Sequence, residues 1–257
     1  MNRHQIIAVI VLTLIFCFEQ YFPNRKRVSH WWRHLRCNCI LGGLNGFLTG
    51  VSSALMSVCV ICWMEDHSVG LLRMFRASSG LKLCVAFVLF DFWIYAWHWV
   101  NHQIPLLWRF HRVHHSDPAM DMSTALRFHP FEILLSSMLN IIIIALIGMD
   151  LSHLVLYKGI FHANVLFQHS NVRISPKVDY LMRALLVSPN MHRIHHSNIQ
   201  KGTNSNYSSV FSFWDRLFGT YCRRDGDLVT FGLDRWMEEK WQTVVGLLKL
   251  PFKNIEK

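Results

Sequence analysis

Histidine is concentrated in two short stretches of this chain, and the second nearly repeats the first. The stretch WHWVNHQIPLLWRFHRVHH at 97–115 holds five histidines, and MHRIHH at 191–196 holds three more. Side chains three or four residues apart on a helix share a face, so each stretch would present several imidazoles in one direction. Imidazole is the commonest metal-binding side chain near neutral pH, and Fe, Zn, Cu and Ni all accept it. The spacing therefore predicts a polyhistidine metal site.

The heptads HRVHHSD at 111–117 and HRIHHSN at 192–198 are almost identical, which a chance scatter of 16 histidines would hardly produce. A pair of histidines four apart precedes the first heptad, and a pair seven apart precedes the second. The predicted metal ligands are His98, His102, His111, His114, His115, His162, His169, His192, His195 and His196. No catalytic side chain beyond these ligands is predicted. The sequence leaves two roles open for His129 in RFHP, which could bind metal or hydrogen-bond a helix end beside Pro130.

The segments that must position these histidines are strongly apolar. The 257 residues are 52% hydrophobic and 16% charged, whereas roughly a quarter of the residues of average soluble domains are charged. The segment 37–64 has no charged side chain and exceeds the roughly 20 residues that cross a bilayer. These features predict an all-α integral membrane protein with four to five transmembrane helices, at 6–18, 37–64, 83–100 and a hairpin of 133–149 with 151–167. No low-complexity linker divides the chain, so 1–257 is expected to be one membrane domain with a catalytic region at 83–222.

Basic residues predict which side of the membrane the histidines face. The segment after the first predicted helix carries five Lys and Arg residues between positions 25 and 36, whereas Arg3 is the only one before that helix. Cytoplasmic segments are enriched in Lys and Arg, so this segment should be cytoplasmic. Counting crossings from there places every histidine stretch on the cytoplasmic side. The prediction is a multi-pass protein of a bacterial inner membrane or the endoplasmic reticulum, with a cytoplasmic helical cap around the metal site.

Charge and cysteine content exclude other classes. The net charge is +10, but the Lys and Arg residues are scattered between apolar segments and form no basic face, so no nucleic-acid partner is predicted. The seven cysteines are an odd number and lie mostly in or beside apolar runs, where cysteine behaves as a small hydrophobic residue. No disulfide framework is therefore expected. Arg112 and Arg193, inside the two heptads, are expected to face away from the histidines, toward lipid phosphates or acidic neighbours.

The chain resembles the fatty acid hydroxylase superfamily in six motifs: WHWVNH, HRVHHS, RFHPFE, FQHSN, MHRIHHS and NYSSVFSFWDRLFGTY. That superfamily includes sterol desaturases, sterol methyl oxidases, fatty acid 2-hydroxylases and alkylglycerol monooxygenase. The motifs fall within 91–221, more than half of the chain. The resemblance implies a non-haem di-iron membrane enzyme that uses O₂ and two electrons. Its substrate would be an unactivated C–H bond of a lipid, such as a sterol, a fatty acyl chain or an ether lipid, which it would hydroxylate or desaturate.

The same resemblance implies two Fe ions held by the ten histidines above, with O₂ as co-substrate. Zinc could replace iron in purified protein, because divalent affinity alone does not select Fe(II). Each triplet with its upstream pair is expected to supply about five imidazoles to one metal. Asp91, Asp117 and Asp121 are expected to orient ligand rings by accepting their other N–H group. Metal occupancy is expected to fall as the pH drops through about 6.5, the ordinary pKa of imidazole.

A separate electron donor is expected because O₂ activation for C–H attack consumes two electrons. The chain has no nucleotide fingerprint such as GxGxxG and no cysteine set for an iron–sulfur cluster. A ferredoxin, or a cytochrome b5-like protein with its reductase, would meet this need at the basic face. Two alternatives remain, a haem-binding membrane protein and a histidine-rich metal transporter. The transporter would place its ligands at mid-membrane on discontinuous helices.

Overall fold

The computed structural model describes residues 3–224 and 229–254, and every regular element within them is helical. The α-helices of these residues are α1 (Arg3–Tyr21), α2 (Trp31–Asn45), α3 (Val51–His67), α4 (Ser79–Gln103), α5 (Pro105–His115), α6 (Pro130–Ile147), α7 (Leu151–His169), α8 (Pro176–Arg183), α9 (Pro189–His195), α10 (Gln200–Thr203), α11 (Phe213–Leu217) and α12 (Val244–Lys249). Short 3₁₀ turns include Met122–Leu126 and Leu250–Phe252. The all-helical architecture predicted from hydropathy is confirmed.

Three helical segments are long and apolar enough to cross a membrane: Trp31–Arg73, Ser79–Gln103 and Pro130–Ile147. The first helix that the sequence predicts is α1, whose apolar part, Val9–Tyr21, is shorter than these spans. The predicted returning limb of the hairpin is α7, which carries three histidines and one lysine and is not among the three. Three of the four to five predicted spans are thus helices of sufficient length and hydropathy.

The first span is longer than the membrane and starts earlier than expected. A π-helical turn, Gly46–Gly50, joins α2 to α3 without a break, so the helix runs from Trp31 to His67. At 1.5 Å per residue this is about 55 Å, against about 30 Å of hydrocarbon. The segment predicted to be a basic loop is therefore partly helical, and this helix is longer than the hydrocarbon layer. Asn38 of α2 donates to Ser123 Oγ at 2.9 Å, which fixes this end of the helix against the 3₁₀ turn Met122–Leu126.

A tight turn joins α6 to α7, as the hairpin prediction requires. Gly148 ends α6 in the left-handed region at φ +78°. A Cβ atom on Gly70, at φ +114°, would lie 2.3 Å from the Cα atom of Gly148. The two backbones can approach this closely because neither residue has a side chain. Arg73 donates to Asp150 at 2.8 Å beside this turn.

The apolar core lies between the helices α3, α4, α6 and α7. Ile61, Phe90, Ile144 and Tyr157 are almost fully buried in it. Asp91 is also buried there, and its carboxylate accepts hydrogen bonds from the Tyr157 hydroxyl and from Trp214 Nε1, both at 2.9 Å. These bonds satisfy a buried acid that would otherwise be costly in an apolar helix. They also tie α4 to the segment that contains α11.

Candidate metal centre

Nine of the ten predicted ligands converge in two buried groups. The first histidine group consists of His98, His102, His111, His115 and His195. The second histidine group consists of His114, His169, His192 and His196. Within each group the ligand nitrogens lie within 4.8 Å of one another. All nine side chains are buried except His98, which is half-buried.

Helix ends bring these residues together. His98 and His102 lie in the last two turns of α4, and α5 starts two residues after α4 ends, with Pro105 as its first residue. Proline suits the first turn of a helix, because its missing N–H would have no partner there. Ile104 between the helices is extended, so the chain turns and α5 packs its histidines against those of α4. His169 is the last residue of α7, and Ser188 caps α9 by accepting from Met191 N at 3.2 Å.

Each group contains the middle histidine of the opposite triplet. His195 joins the first group although its triplet neighbours belong to the second, and His114 joins the second group in the same way. Successive residues of a helix are about 100° apart, so positions i and i+4 point almost together while i+3 points well away from i+4. The expected pairing of one whole triplet with one set of ligands is therefore wrong. The two triplets interlock, with five and four imidazoles in the two groups.

The predicted ligand His162 and the residue His129, for which the sequence left two roles open, lie outside both groups. His162 is exposed on α7 and donates from Nδ1 to the Lys158 carbonyl at 2.7 Å. It is separated from His169 by seven residues, which is about 10 Å along the helix. His129 caps α6, where its Nδ1 accepts from Phe131 N at 3.2 Å and its Nε2 faces the Leu248 carbonyl at 3.3 Å. Both ring nitrogens of His129 are thus used, which corresponds to the capping role that the sequence left open.

Five rings are oriented by hydrogen bonds from Nδ1 to oxygen acceptors; four of these bonds are short, and the fifth joins His102 Nδ1 to Asn204 Oδ1 at 3.4 Å. His98 Nδ1 bonds to the Tyr207 carbonyl, His195 Nδ1 to the Ser205 carbonyl, His169 Nδ1 to the Val165 carbonyl and His111 Nδ1 to Glu132 Oε1, each at 2.7 Å. A carbonyl oxygen only accepts, so the proton of the neutral ring is on Nδ1 and the lone pair is on Nε2. This arrangement directs the ligand nitrogen into the group and raises its basicity.

The acid that orients a ring is Glu132, which the sequence reasoning missed. Asp91, Asp117 and Asp121 are the acceptors expected from the sequence, but among the described residues each of them bonds to partners other than the histidines of the two groups. Glu132 stands two residues after Pro130 in the first turn of α6. Its place in the motif RFHPFE was the available signal. Because a carboxylate in the first turn of a helix is also stabilised by the helix dipole, the position suits a buried acid.

Asp117 supports the same region from the other side. It accepts from His34 Nε2 and Thr124 Oγ1, each at 2.8 Å. Burial raises the pKa of Asp117, but His34 and Arg127 outweigh it and hold that pKa well below its usual range. Arg127 is fully buried and donates to the carbonyls of Val113 and Ser116. These contacts fix the carboxyl end of α5, where the first triplet lies.

The arginines of the two heptads are structural anchors and do not face lipid. Arg112 donates to the Leu250 and Lys253 carbonyls at 2.6 and 2.7 Å. Arg193 donates to the Val172 carbonyl at 2.6 Å. Both side chains are buried, so each pins the outer face of its histidine helix to a neighbouring segment. The expected contact with lipid phosphates is therefore wrong.

The chemistry of the two groups fits bound metal. The Nε2 atoms of His98, His102, His195 and His196 are buried without a hydrogen-bond partner among the described residues. In the second group, the Nε2 atoms of His114 and His192 each lie 3.0 Å from Nε2 of His169. The proton of His169 is on Nδ1, so its one Nε2 lone pair can accept only one of these neighbours. A cation between the nitrogens satisfies all of them, and unpaired buried polar atoms are otherwise costly.

Burial lowers the pKa values of several histidines of the two groups and keeps these rings neutral. It lowers the pKa of His195 to about 3, in spite of the hydrogen bond to the Ser205 carbonyl, which acts in the opposite direction. Burial first, and neighbouring imidazoles second, lower the pKa values of His115, His192 and His196 well below the ordinary value. A neutral imidazole is the form that binds metal. Protons therefore compete for these nitrogens only in more acidic solution than the sequence alone suggested.

We expect bound metal to be retained between pH 7 and pH 5. The folded protein keeps these rings neutral below their ordinary pKa of about 6.5, whereas the unfolded chain takes up protons there. The free energy of unfolding should therefore fall as the pH drops, while the metal content stays constant. Elemental analysis and a thermal melt at both pH values provide the measurement. Loss of more than half of the metal at pH 5 in folded protein would contradict the burial of these rings.

Glu132→Gln is expected to weaken the centre without dismantling the fold. The amide matches the carboxylate in shape but loses its charge, so His111 is held less firmly. Partners that orient a metal ligand typically contribute about 10- to 100-fold to metal affinity or activity. Metal affinity by competition with a chelator would report the loss. The matched control is Glu65→Gln, because Glu65 is exposed and lies outside both histidine groups.

Comparison with known proteins decides the family. The sequence profile of the fatty acid hydroxylase family matches residues 83–220, which include all nine histidines of the two groups. The chain belongs to the fatty acid hydroxylase family. This result confirms the resemblance that the histidine motifs carry.

Several relatives in this family are named for lipid oxidation. The chain is 26% identical to the alkylglycerol monooxygenase of Danio rerio over 74% of its length and 43% of that protein. It is 32% identical to the ornithine lipid hydroxylase OlsE of Rhizobium tropici over 55% of its length and 42% of that protein. It is 26% identical to the cholesterol 25-hydroxylase of Rattus norvegicus over 55% of its length and 46% of that protein. The chain spans less than half the length of each of these relatives. No solved structure matches the chain.

Proposed function

We propose that this member of the fatty acid hydroxylase family is an O₂-dependent membrane oxidoreductase that hydroxylates an unactivated C–H bond of a lipid. Desaturation of the same bond is the alternative outcome of the same chemistry. One observation carries the proposal: nine imidazoles, eight of them buried, bring their nitrogens into two groups within the region that the family profile matches. The names of the relatives support a lipid as the substrate class, with a sterol, an acyl chain and an ether lipid as its members.

We propose that the two groups hold two iron ions. The first histidine group would hold one ion with five nitrogens, and the second would hold the other with four. When bound, such a di-iron centre supplies the activation of O₂ that C–H oxidation needs. Zinc is expected to occupy the same nitrogens where iron is scarce, since imidazole does not discriminate strongly between them. The proposed catalytic unit, 83–222, works as one domain with the rest of the chain, because α2 supplies His34 to the buried network of Asp117.

The chain's own residues orient the imidazoles and exclude water. The hydrogen bonds of His98, His169 and His195 to backbone carbonyls keep their Nε2 lone pairs directed inward. Aromatic side chains close the groups, since Phe128 stacks on His114 with ring centroids 4.2 Å apart and Trp108 lies 4.8 Å from His102. A water-excluded site limits side reactions of activated oxygen.

The location of the groups favours oxidation over the two alternatives. A haem needs room for its macrocycle between two axial nitrogens, whereas here neighbouring imidazoles fill the space around each nitrogen. A transporter would hold its metal at mid-membrane, but α5 and α9 carry most of the histidines and neither is long enough to span. We propose a multi-pass protein whose histidine groups face the cytoplasm, and a ferredoxin or cytochrome b5-like protein as electron donor.

Oxygen incorporation tests the proposal. Anaerobically purified protein, loaded with Fe(II) and supplied with a reductant and a lipid extract of its source membrane, would be exposed to ¹⁸O₂. A lipid product heavier by one ¹⁸O atom is expected, and its formation should be lost in His192→Ala. Product without ¹⁸O but with one more double bond would indicate desaturation. Absence of any oxidised lipid in iron-loaded, fully reduced protein would refute the proposal.

A further inference from the structure

A large basic groove lies beside the metal centre, and the oxidation chemistry does not use it. Its cavity volume is about 1550 Å³, larger than the roughly 300–1,000 Å³ of most small-molecule sites. The groove is defined by five arginines, and we call it the arginine groove: Arg173, Arg183, Arg216, Arg223 and Arg224. It opens where α1 and α7 end together, because Asn24 N donates to the Asn171 carbonyl at 2.7 Å and Arg173 N donates to the Phe22 carbonyl at 2.8 Å.

The groove is positive because its arginines outnumber its acids. Asp179 is the one carboxylate among the described residues that line it, and it pairs with Arg183 at 2.7 Å. The other four arginines form no ion pair with a described residue. Asp225 and Asp227 follow Arg224 in the sequence and lie outside the described residues. Four guanidinium groups in one concavity form a site for a group with negative charge, and guanidinium binds phosphate by paired hydrogen bonds.

One arginine of the groove, Arg216, is held in place by contacts within the protein. Arg216 donates to the Ser212 carbonyl at 3.2 Å and stacks on Tyr221, with the guanidinium carbon 4.4 Å from the ring centroid. Arg216 also donates to the Arg183 carbonyl at 2.5 Å. These contacts hold its guanidinium in place before any ligand arrives, which lowers the entropy cost of binding. Arg173, Arg223 and Arg224 are exposed and complete the positive wall.

The residues around the groove indicate that it lies at the surface of the bilayer. The apolar part of α1 ends at Tyr21, and Phe18, Tyr21 and Phe22 line the groove as exposed aromatic side chains. Aromatic residues concentrate at the interface between hydrocarbon and headgroups. On the other side, α8 exposes Val178 and Leu181, as an amphipathic helix lying on a membrane does. Basic pockets at this level bind anionic lipid headgroups.

We propose that the arginine groove binds the phosphate of an anionic phospholipid headgroup at the membrane surface. The concave shape and the aromatic rim favour a lipid over an acidic protein, which would need a broader contact surface of about 800 Å² on each partner. The site is separate from the two histidine groups. Asn190 lines the groove on α9, two residues before His192, so a bound headgroup would lie against the outer face of the second histidine helix.

Lipid titration of the full-length chain in detergent tests this inference. Phosphatidylglycerol and phosphatidylcholine with a fluorescent tail would be the probes, and anisotropy would give the dissociation constants. The variant R173Q/R223Q/R224Q removes three exposed charges, and R36Q/R76Q/K201Q removes three exposed charges outside the groove. Asp225 and Asp227 stay unchanged in both. Equal melting temperatures of the three proteins would establish that each is folded.

Wild-type protein is expected to bind phosphatidylglycerol at least tenfold more tightly than phosphatidylcholine. In the groove variant the dissociation constant for phosphatidylglycerol should rise at least tenfold. In the control variant it should change less than twofold. Equal losses in both variants would show a general charge effect and overturn the site. Competition by inorganic phosphate or glycerol phosphate at the concentration of the lipid would overturn the lipid assignment. So would an unchanged lipid affinity combined with slower reduction of the groove variant by an acidic electron-transfer protein.

Discussion

Replacing His169 by alanine is expected to abolish lipid oxidation, whereas replacing His162 on the same helix is expected to leave it near the wild-type rate. His169 is buried, and its Nε2 lies 3.0 Å from two other ligand nitrogens of the second histidine group. Without it, the four-nitrogen group has three. His162 is exposed, and its Nδ1 bonds to the Lys158 carbonyl one turn before it, away from the other ligands. The two variants thus compare one residue type, on one helix, inside and outside the centre.

The expected loss in His169→Ala is at least about 100-fold, because loss of even a supporting partner of a metal ligand typically costs about 10- to 100-fold. Adding His192→Ala should reduce activity little further, since residues that act as a unit are non-additive. Turnover would be measured in iron-loaded protein, and helical content by circular dichroism would establish that the fold survives. If His162→Ala were as inactive as His169→Ala, the assignment of the second histidine group would be wrong.

The second prediction concerns metal stoichiometry, which we expect to be close to two per chain. Because the two triplets interlock, double variants can test which histidines share a metal, which the total number of ligands cannot. His114 and His192 come from different triplets but belong to the second group, so H114A/H192A should lose one metal and retain the other. His114 and His115 are adjacent but belong to different groups. H114A/H115A should therefore weaken both sites and lose most of both metals.

Elemental analysis of anaerobically purified protein, per mole of chain, provides the measurement. Both double variants remove two histidine side chains, so a difference in metal content between them cannot come from the number of imidazoles removed. Circular dichroism of each variant distinguishes loss of metal from loss of fold. A saturated value near one in the wild-type protein would exclude a di-metal centre. Equal metal contents in the two variants would contradict the interlocked arrangement.

Much of the architecture follows from local patterns. Hydropathy indicates helices of membrane length at 83–100 and 133–149, and the structure has α4 and α6 there. The turn at Gly148 can be predicted from the sequence, because glycine commonly ends a helix and aspartate, here Asp150, commonly caps the next one. The long helix from Trp31 to His67 is harder to predict, since its basic first turns resemble a loop in sequence. In the structure His34 bonds to Asp117 and Asn38 bonds to Ser123, and these contacts are distant in sequence.

The histidine motifs predicted most of the composition of the candidate centre. Ten histidines were selected by spacings of three, four or seven residues and by the family resemblance, and nine of them converge, because the helical period is a local property of the chain. His162 satisfies the same periodicity but points elsewhere, since periodicity defines a face of a helix and not what that face packs against. Tertiary structure alone decided which histidines share a group, that Glu132 orients His111, and that Arg112 and Arg193 anchor the helices. Those relations depend on the relative rotation of helices that are distant in sequence. That rotation is set by packing between many elements and has no signature in any single segment.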